Sequence, residues 1–364
     1  MRRSKLAELM KVDYVTYDES YFKNTIHSKL RRIALSLSGA VVGVHSPDDT
    51  DLWDDGKAVD WGAYESNGWN CMVQIPKFYY KVENGTLGMF KDVYRCEVSE
   101  IQREGFKLHP VFERIDGVIE NYQYVAAFEG WVDDNGRLRS LPNKTITIGR
   151  TRASFRAAAQ LNGLDFRQID YLLLSAIQML FITEYASFNS QKALGKGMSL
   201  TANTFLRTGK SLKNGNRSYG DKETNSAHMT YRGLENLWGN YYSYVDGVNF
   251  YNYVTYISKR IFEDNKTSGN YKNAGIRVPN NYGYIKNFMR VDGYYDFNFL
   301  PVEVGAAEFS YLGDYHFYTS GHCGLAFGGA TSIQGQTGIF QTNIQISSTS
   351  ALSNCGSRLA YILS

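Results

Sequence analysis

With 364 residues the chain exceeds the usual size of one domain core, so either one elaborate domain or a short segment joined to a larger domain is expected. Its 39 Lys and Arg against 36 Asp and Glu leave a net charge of +3, too small a field to draw in nucleic acid or an anionic membrane over long range. The 28 Tyr, far ahead of 5 Trp, supply stiff contact area with a polar tip, which suits binding surfaces, although most are expected simply to line amphipathic strands.

Met1-Arg-Arg-Ser-Lys-Leu-Ala-Glu8 lacks the apolar run of a secretion signal, and no stretch approaches the roughly eighteen apolar residues of a membrane helix. Residues 1–60 combine a basic start, a short apolar run from Ile33 to Val44 and an acidic cluster from Asp48 to Asp60, and read as an attachment or oligomerisation segment preceding a domain of residues 61–364. The acidic cluster fails as a calcium loop: in the frame Asp51, Trp53, Asp55, Gly56 a tryptophan takes a ligand position and no glutamate closes the loop. A solvated turn is expected there, without metal.

From Cys71 the pattern turns to strands, with Val73–Val82 alternating and Tyr122–Phe128 β-rich and apolar. Thr151 can cap a helix whose Phe155, Ala158, Ala159 and Leu161 share a face, and Gly163 stands where a left-handed C-terminal cap would fall. A second helix is expected over Arg167–Tyr185, apolar enough to be buried against a sheet. Beyond Asn189 the periodicity fades into Gly, Asn, Ser and Tyr, implying long loops on a small sheet, with short segments such as Tyr251–Tyr256.

The common catalytic signatures are missing: no GxSxG, P-loop, GxGxxG after a strand, HExxH or HxH. Six histidines are scattered singly, and His109 beside Pro110 reads as a packed one. His322 and Cys323 are adjacent, so on a strand they point to opposite faces and make no nucleophile pair. Cys71, Cys96, Cys323 and Cys355 are too dispersed for a zinc site or a dense disulfide framework and read as reduced, mostly buried thiols. No catalytic residue and no cofactor is expected.

Between Asp314 and Arg358 there is no Lys, Arg, Asp or Glu, in a chain that is 21% charged. From Gly328 to Gln345 the residues are mostly Gly, Thr, Ser, Gln and Ile. Such a run can form solvated strands and turns at a domain edge, or it can present hydroxyl and amide groups that bind varied targets at modest desolvation cost.

This stretch resembles the C-type-lectin-fold proteins at the tips of phage tail fibres and those diversified by retroelements, such as the major tropism determinant. A Gly-Gly turn (Gly328, Gly329), a polar run (Thr331–Thr337), a Gly-x-Phe step (Gly338, Phe340), a second polar run (Gln341–Ser353) and a closing Gly-x-Arg (Gly356, Arg358) follow in the family's order. Arg232-Gly-Leu-Glu-Asn-Leu-Trp-Gly-Asn240, with Trp238 at its centre, resembles the segment that precedes this region, and Ile75–Tyr80, Gly105–Pro110 and Ser175–Phe181 are similar to the same group. The likeness covers the chain from about residue 70. Ala330-Thr331-Ser332 stands where many relatives carry a tryptophan, which weakens the case for active diversification more than the case for the fold.

The resemblance implies an α+β, C-type-lectin-like domain of the formylglycine-generating-enzyme type, with small antiparallel sheets, two helices and long loops. It implies a receptor-binding protein at a virion tail tip, made in the host cytoplasm and homotrimeric. Its partners would be a bacterial surface protein or glycan and other tail subunits, with no nucleic acid and no membrane insertion. The contact face would be Thr331, Ser332, Ile333, Gln334, Gln336, Thr337, Gln341, Thr342 and Asn343. Gly328, Gly329, Gly338, Phe340, Gly356 and Trp238 would be structural, with Arg358 a buried brace on loop carbonyls. Two alternatives stand beside it: a structural baseplate or adaptor protein, and a formylglycine-generating-type oxidase, suggested by Gly239–Tyr244 although Cys323 and Cys355 are not closely placed.

Overall fold

A computed structural model describes residues 19–87, 90–199, 205–224, 226–288, 294–307, 312–333 and 335–363. The architecture is α+β and dominated by sheet, with four α-helices among the described residues: α1 (Trp61–Asn67), α2 (Arg152–Gln160), α3 (Tyr171–Tyr185) and α4 (Ser190–Leu194). In chain order the strands of the two main sheets are β1 (Arg31–Leu35), β2 (Val41–Val44), β3 (Asn70–Pro76), β4 (Tyr122–Ala126), β5 (Phe166–Gln168), β6 (Tyr242–Tyr251), β7 (Val254–Ile257), β8 (Lys272–Arg277), β9 (Gly283–Phe288), β10 (Pro301–Ala306), β11 (Tyr315–Phe317), β12 (His322–Gly328), β13 (Gly338–Ile346), β14 (Cys355–Gly356) and β15 (Leu359–Tyr361).

One sheet has six strands in the order β5-β15-β4-β3-β1-β2, all antiparallel. The other has nine: β8-β7-β6-β12-β13-β11-β9-β10 in sequence, with β14 parallel to β6 at the side. Both faces of the six-stranded sheet are covered. Ala34, Val73 and Val125 enter the larger core with α3, while Ile33, Met72 and Ala126 face a second core with Phe155, Ala158 and Ala159 of α2. Strands covered on both sides read as continuous apolar runs, which is why β3 shows no burial alternation.

Several expected boundaries move. The Val73–Val82 segment divides, β3 ending at Pro76 and a separate hairpin strand running from Tyr79 to Leu87. Helix α3 begins at Tyr171, not Arg167, because residues 166–168 pair with β15 and the Asp170 carboxylate caps the helix by accepting the Leu173 amide at 2.8 Å. Thr151 caps α2 by accepting the Ser154 amide at 3.2 Å. That helix ends at Gln160, however, with Leu161 as its C-cap in right-handed conformation, 60% exposed and off the buried face. The sheet after Asn189 is large rather than small, and Tyr251–Tyr256 is a hairpin, its turn made by Asn252 and Tyr253 at φ 45° and 73°.

The expected division at residue 60 is also corrected. Strand β1 pairs with β3 along five residues, and Ile26, Leu30 and Ala34 belong to the main core. Arg32, fully buried, donates to Gly233 O at 2.8 Å, Thr50 Oγ1 at 2.7 Å and Ser211 Oγ at 2.6 Å, and lies over the Phe128 ring. Nothing local in the sequence marks Arg32 as buried, since its partners lie up to 201 positions away. The acidic cluster is an ordered turn in which Asp51 accepts Trp61 Nε1 at 3.0 Å and Asp60 caps α1. No cluster of metal-ligating side chains occurs among the described residues, and none of their helices is long and apolar enough to cross a membrane.

Candidate functional site

The neutral C-terminal run begins where β12 leaves the nine-stranded sheet. Gly328 turns there at φ 89°, and a Cβ at this position would stand 2.5 Å from Leu237 O, so only glycine lets the two backbones approach. A short 3₁₀ turn, Thr331–Ile333, follows, then β13, then a loop over residues 347–354 leading to β14.

The backbone of the run is pinned from below by α4 and α3. Gln191 Nε2 donates to Gly335 O at 2.6 Å and Thr337 O at 2.5 Å, Ser190 Oγ accepts the Ile339 amide at 3.2 Å, and Gln178 Nε2 donates to Ile339 O at 2.8 Å. Phe340 is fully buried among Phe181, Phe188, Phe288 and Phe299 at ring centroid distances of 5.5 to 6.4 Å. Its amide donates to Asp314 Oδ2 at 2.7 Å, and burial pushes the Asp314 carboxyl up to about 8.

This packing changes the composition of the expected contact face. Thr331, Thr337, Gln341, Thr342 and Asn343 are buried, none more than 7% exposed. Thr337 Oγ1 donates to Lys196 O at 3.2 Å, Thr342 is hydrogen-bonded to His316 Nδ1 at 2.7 Å, and Asn343 Oδ1 accepts the Gln345 amide at 2.9 Å. Both amide atoms of Gln341 are buried without a hydrogen-bond partner among the described residues. Ser332 is exposed, Ile333 and Gln336 are half-buried, and Gln334 lies outside the described residues.

The exposed polar surface continues elsewhere. Gln345, Ser347, Thr349, Ala351 and Ser353 are exposed, and Asn354 Nδ2 donates to Ser332 Oγ at 3.4 Å, joining the loop to the 3₁₀ turn. The loop is held by Tyr244, whose hydroxyl donates to Ser350 O at 3.0 Å, and by Asn265 Nδ2, which donates to Ser348 Oγ at 3.0 Å. Neutral residue types gave no means of separating these positions from the buried ones. The alternation of Ile344 and Ile346 with Gln345 was the available signal that Gln345 faces outward.

Arg358 closes the run from inside. It is fully buried, and its two terminal nitrogens donate to Ala126 O at 2.9 Å, Ala127 O at 3.3 Å, Glu235 O at 2.5 Å and Asn236 O at 3.1 Å. Beside it Glu129 Oε2 accepts Asn236 Nδ2 at 2.9 Å and Asn240 Nδ2 at 2.8 Å, with burial raising this carboxyl to about 7 against the pull of Arg358. Trp238, also fully buried, donates to Gly195 O at 2.8 Å. The two motifs around residues 232–240 and 356–358 therefore meet in one polar knot.

Compared with known proteins, the chain matches no family model and no curated protein.

Chemically the region offers hydrogen bonding rather than nucleophiles. Cys323 and Cys355 are buried thiols; burial pushes Cys323 up to about 11 and Cys355 well above its ordinary range, so neither presents a thiolate near neutrality. His322 is exposed and its ring packs against that of Tyr251 at 4.4 Å, tilted by 31°.

Proposed function

We propose that the chain is a receptor-binding protein of a phage tail or related injection apparatus, with a C-type-lectin-like fold, and that its contact surface is the exposed part of the C-terminal run. The observation that carries this reading is the uncharged surface of Ser332, Gln336, Gln345 and residues 347–354, mounted on a backbone fixed by Gln191, Gln178, Phe340 and Arg358. Hydroxyl and amide groups on a backbone already ordered lose little entropy on binding. The convergence of the 232–240 motif with Arg358 is further support, since the resembled family carries both in this order.

Single contacts of this kind give modest affinity, so the tail tip would present several copies at once, as a homotrimer. The test is binding of fluorescently labelled protein to a panel of bacterial cells, against a variant with Ser332, Gln336, Gln345, Ser347, Thr349, Ser353 and Asn354 all changed to alanine. Wild type labelling some strains, and the folded variant none, is expected. Equal labelling by both, or by neither, overturns the assignment.

One observation favours a structural virion subunit as second reading. Leu37, Val41, Val42, Leu161 and Leu164 are exposed, Leu164 at 87%, and the backbone of Leu37 lies against Gly163, which places the turn after β1 beside the end of α2. An apolar patch of this kind suits contact with another tail subunit.

A further inference from the structure

A cleft of about 500 Å³ opens between the segment after β7 and the pair Tyr294–Tyr295, apart from the C-terminal run. That volume lies in the range of small-ligand sites. Its floor is apolar, from Ile257, and its rim carries the half-exposed Ile261. Tyr294 and Tyr295 form one wall with ring planes at 89°, and Asn270 supplies an amide. A smaller cleft lined by Tyr80, Lys107, Leu108, Pro110 and Glu113 shares Tyr294 with it.

The charge of the larger cleft is one-sided. Lys259, Arg260 and Lys272 line it, and among the described residues no Asp or Glu does. Lys259 is paired with Glu113 at 2.9 Å and lies 4.8 Å from the Tyr294 ring centre. Lys272 is exposed and has no ion-pair partner among the described residues. Arg260 is only 4% exposed; two of its nitrogens donate to Val111 O at 2.7 Å, Glu113 O at 2.9 Å and Lys259 O at 3.1 Å, while its Nε is buried with no hydrogen-bond partner among the described residues. The guanidinium is held rigid by carbonyls and hydrogen-bonded to no carboxylate among the described residues, Asp170 acting on it only through space, so its positive charge stands behind the cleft wall that Lys272 completes.

We infer that this cleft binds an acidic saccharide, a sugar ring bearing a carboxylate or phosphate. The anion is placed at Arg260 and Lys272. The apolar face of the ring lies on Ile257 and the tyrosine wall, and Asn270 hydrogen-bonds ring hydroxyls. A neutral sugar leaves the cations unmatched, and a bare anion leaves the apolar floor and the tyrosine wall uncovered, so both halves of the ligand are required. The inference goes beyond the receptor reading and does not rest on it, because the C-terminal run contributes no residue to the cleft.

The experiment is titration calorimetry of the purified full chain with a hexuronic-acid tetramer, the corresponding neutral hexose tetramer, and inorganic phosphate. Binding of the uronate with at least tenfold preference over both other probes is expected. K272E should weaken it at least tenfold and Tyr294→Ala at least threefold, with unchanged thermal midpoints, and the binding should fall as salt is raised. Both side chains are partly exposed, so these variants fold. Equal binding of the neutral tetramer, phosphate binding as tightly as the uronate, an undiminished affinity in K272E, or no uronate binding at all would each overturn the proposal. The alanine variant of the C-terminal surface serves as control: it should bind uronate as wild type does, whatever its effect on cell labelling.

Discussion

The Asp314 carboxylate closes over Gly338: a Cβ built on residue 338 would lie 2.1 Å from Asp314 Oδ1, while Oδ2 of the same group holds the Phe340 amide. The Gly-x-Phe step therefore works as a seat for a buried carboxyl. Gly338→Ala forces the carboxyl or the strand to move, and overpacking of this kind costs about 1–3 kcal/mol. A lowered urea midpoint with an unchanged slope is expected; an unchanged midpoint would show that the seat is loose.

The same carboxyl sets a pH dependence. Burial raises Asp314 from 3.8 to about 8 and Glu129 from 4.5 to about 7, so between those limits the folded state holds protons that the unfolded state has released. Stability therefore falls as pH rises, by at most about 1.4 kcal/mol per pH unit for each group. Buried His27, His45 and His316 are lowered to about 4 and His109 to about 3, which makes the opposite limb: stability falls as pH drops below the unfolded value of 6.5. The thermal midpoint should peak near neutrality, and Asp314→Asn should flatten the alkaline limb and steepen the acid limb, because the Asp314 contribution opposes that of the histidines below 6.5.

Arg358→Lys removes a planar donor set that serves four carbonyls. A lysine cannot span them, and each buried acceptor left without a partner costs about 1–3 kcal/mol. A loss of at least ~3 kcal/mol in urea unfolding is expected, and a loss below ~1 kcal/mol would contradict the bracing role.

Gln341→Leu is expected to go the other way. The side chain is buried with neither amide atom bonded, so replacing it by an apolar group of similar size relieves a desolvation cost. The thermal midpoint should hold or rise, and labelling of bacterial cells should be unaffected. A drop in either would mean that Gln341 meets a ligand or an internal water on which the site depends.

Periodicity gave away what local packing controls. The apolar pattern of residues 169–181 could only be a buried helix, and Thr151 ahead of Phe155, Ala158 and Ala159 marked the start of the helix before it. What failed was decided at long range: Arg167 and Gln168 look helical until β15 arrives from nearly 200 residues downstream, and no local signal says that Thr50, Ser211 and Gly233 will enclose Arg32. The polar run failed for a chemical reason. Thr and Gln satisfy themselves equally well against water or against a buried carbonyl, so Thr337 and Ser332 are indistinguishable until the Lys196 carbonyl is seen above one and not the other.

Strand β15 lies between β5 and β4, inside the six-stranded sheet rather than at its edge. During synthesis that sheet has an open slot until residues 359–361 leave the ribosome, so its two halves stay unjoined while the preceding sequence is being made. A chain lacking residues 359–361 leaves β5 and β4 without the strand between them, and such a chain is expected to be more open to proteolysis. Substitutions at the exposed positions of the run leave this closure untouched, whereas an interruption of the run removes the strand that joins β5 to the sheet.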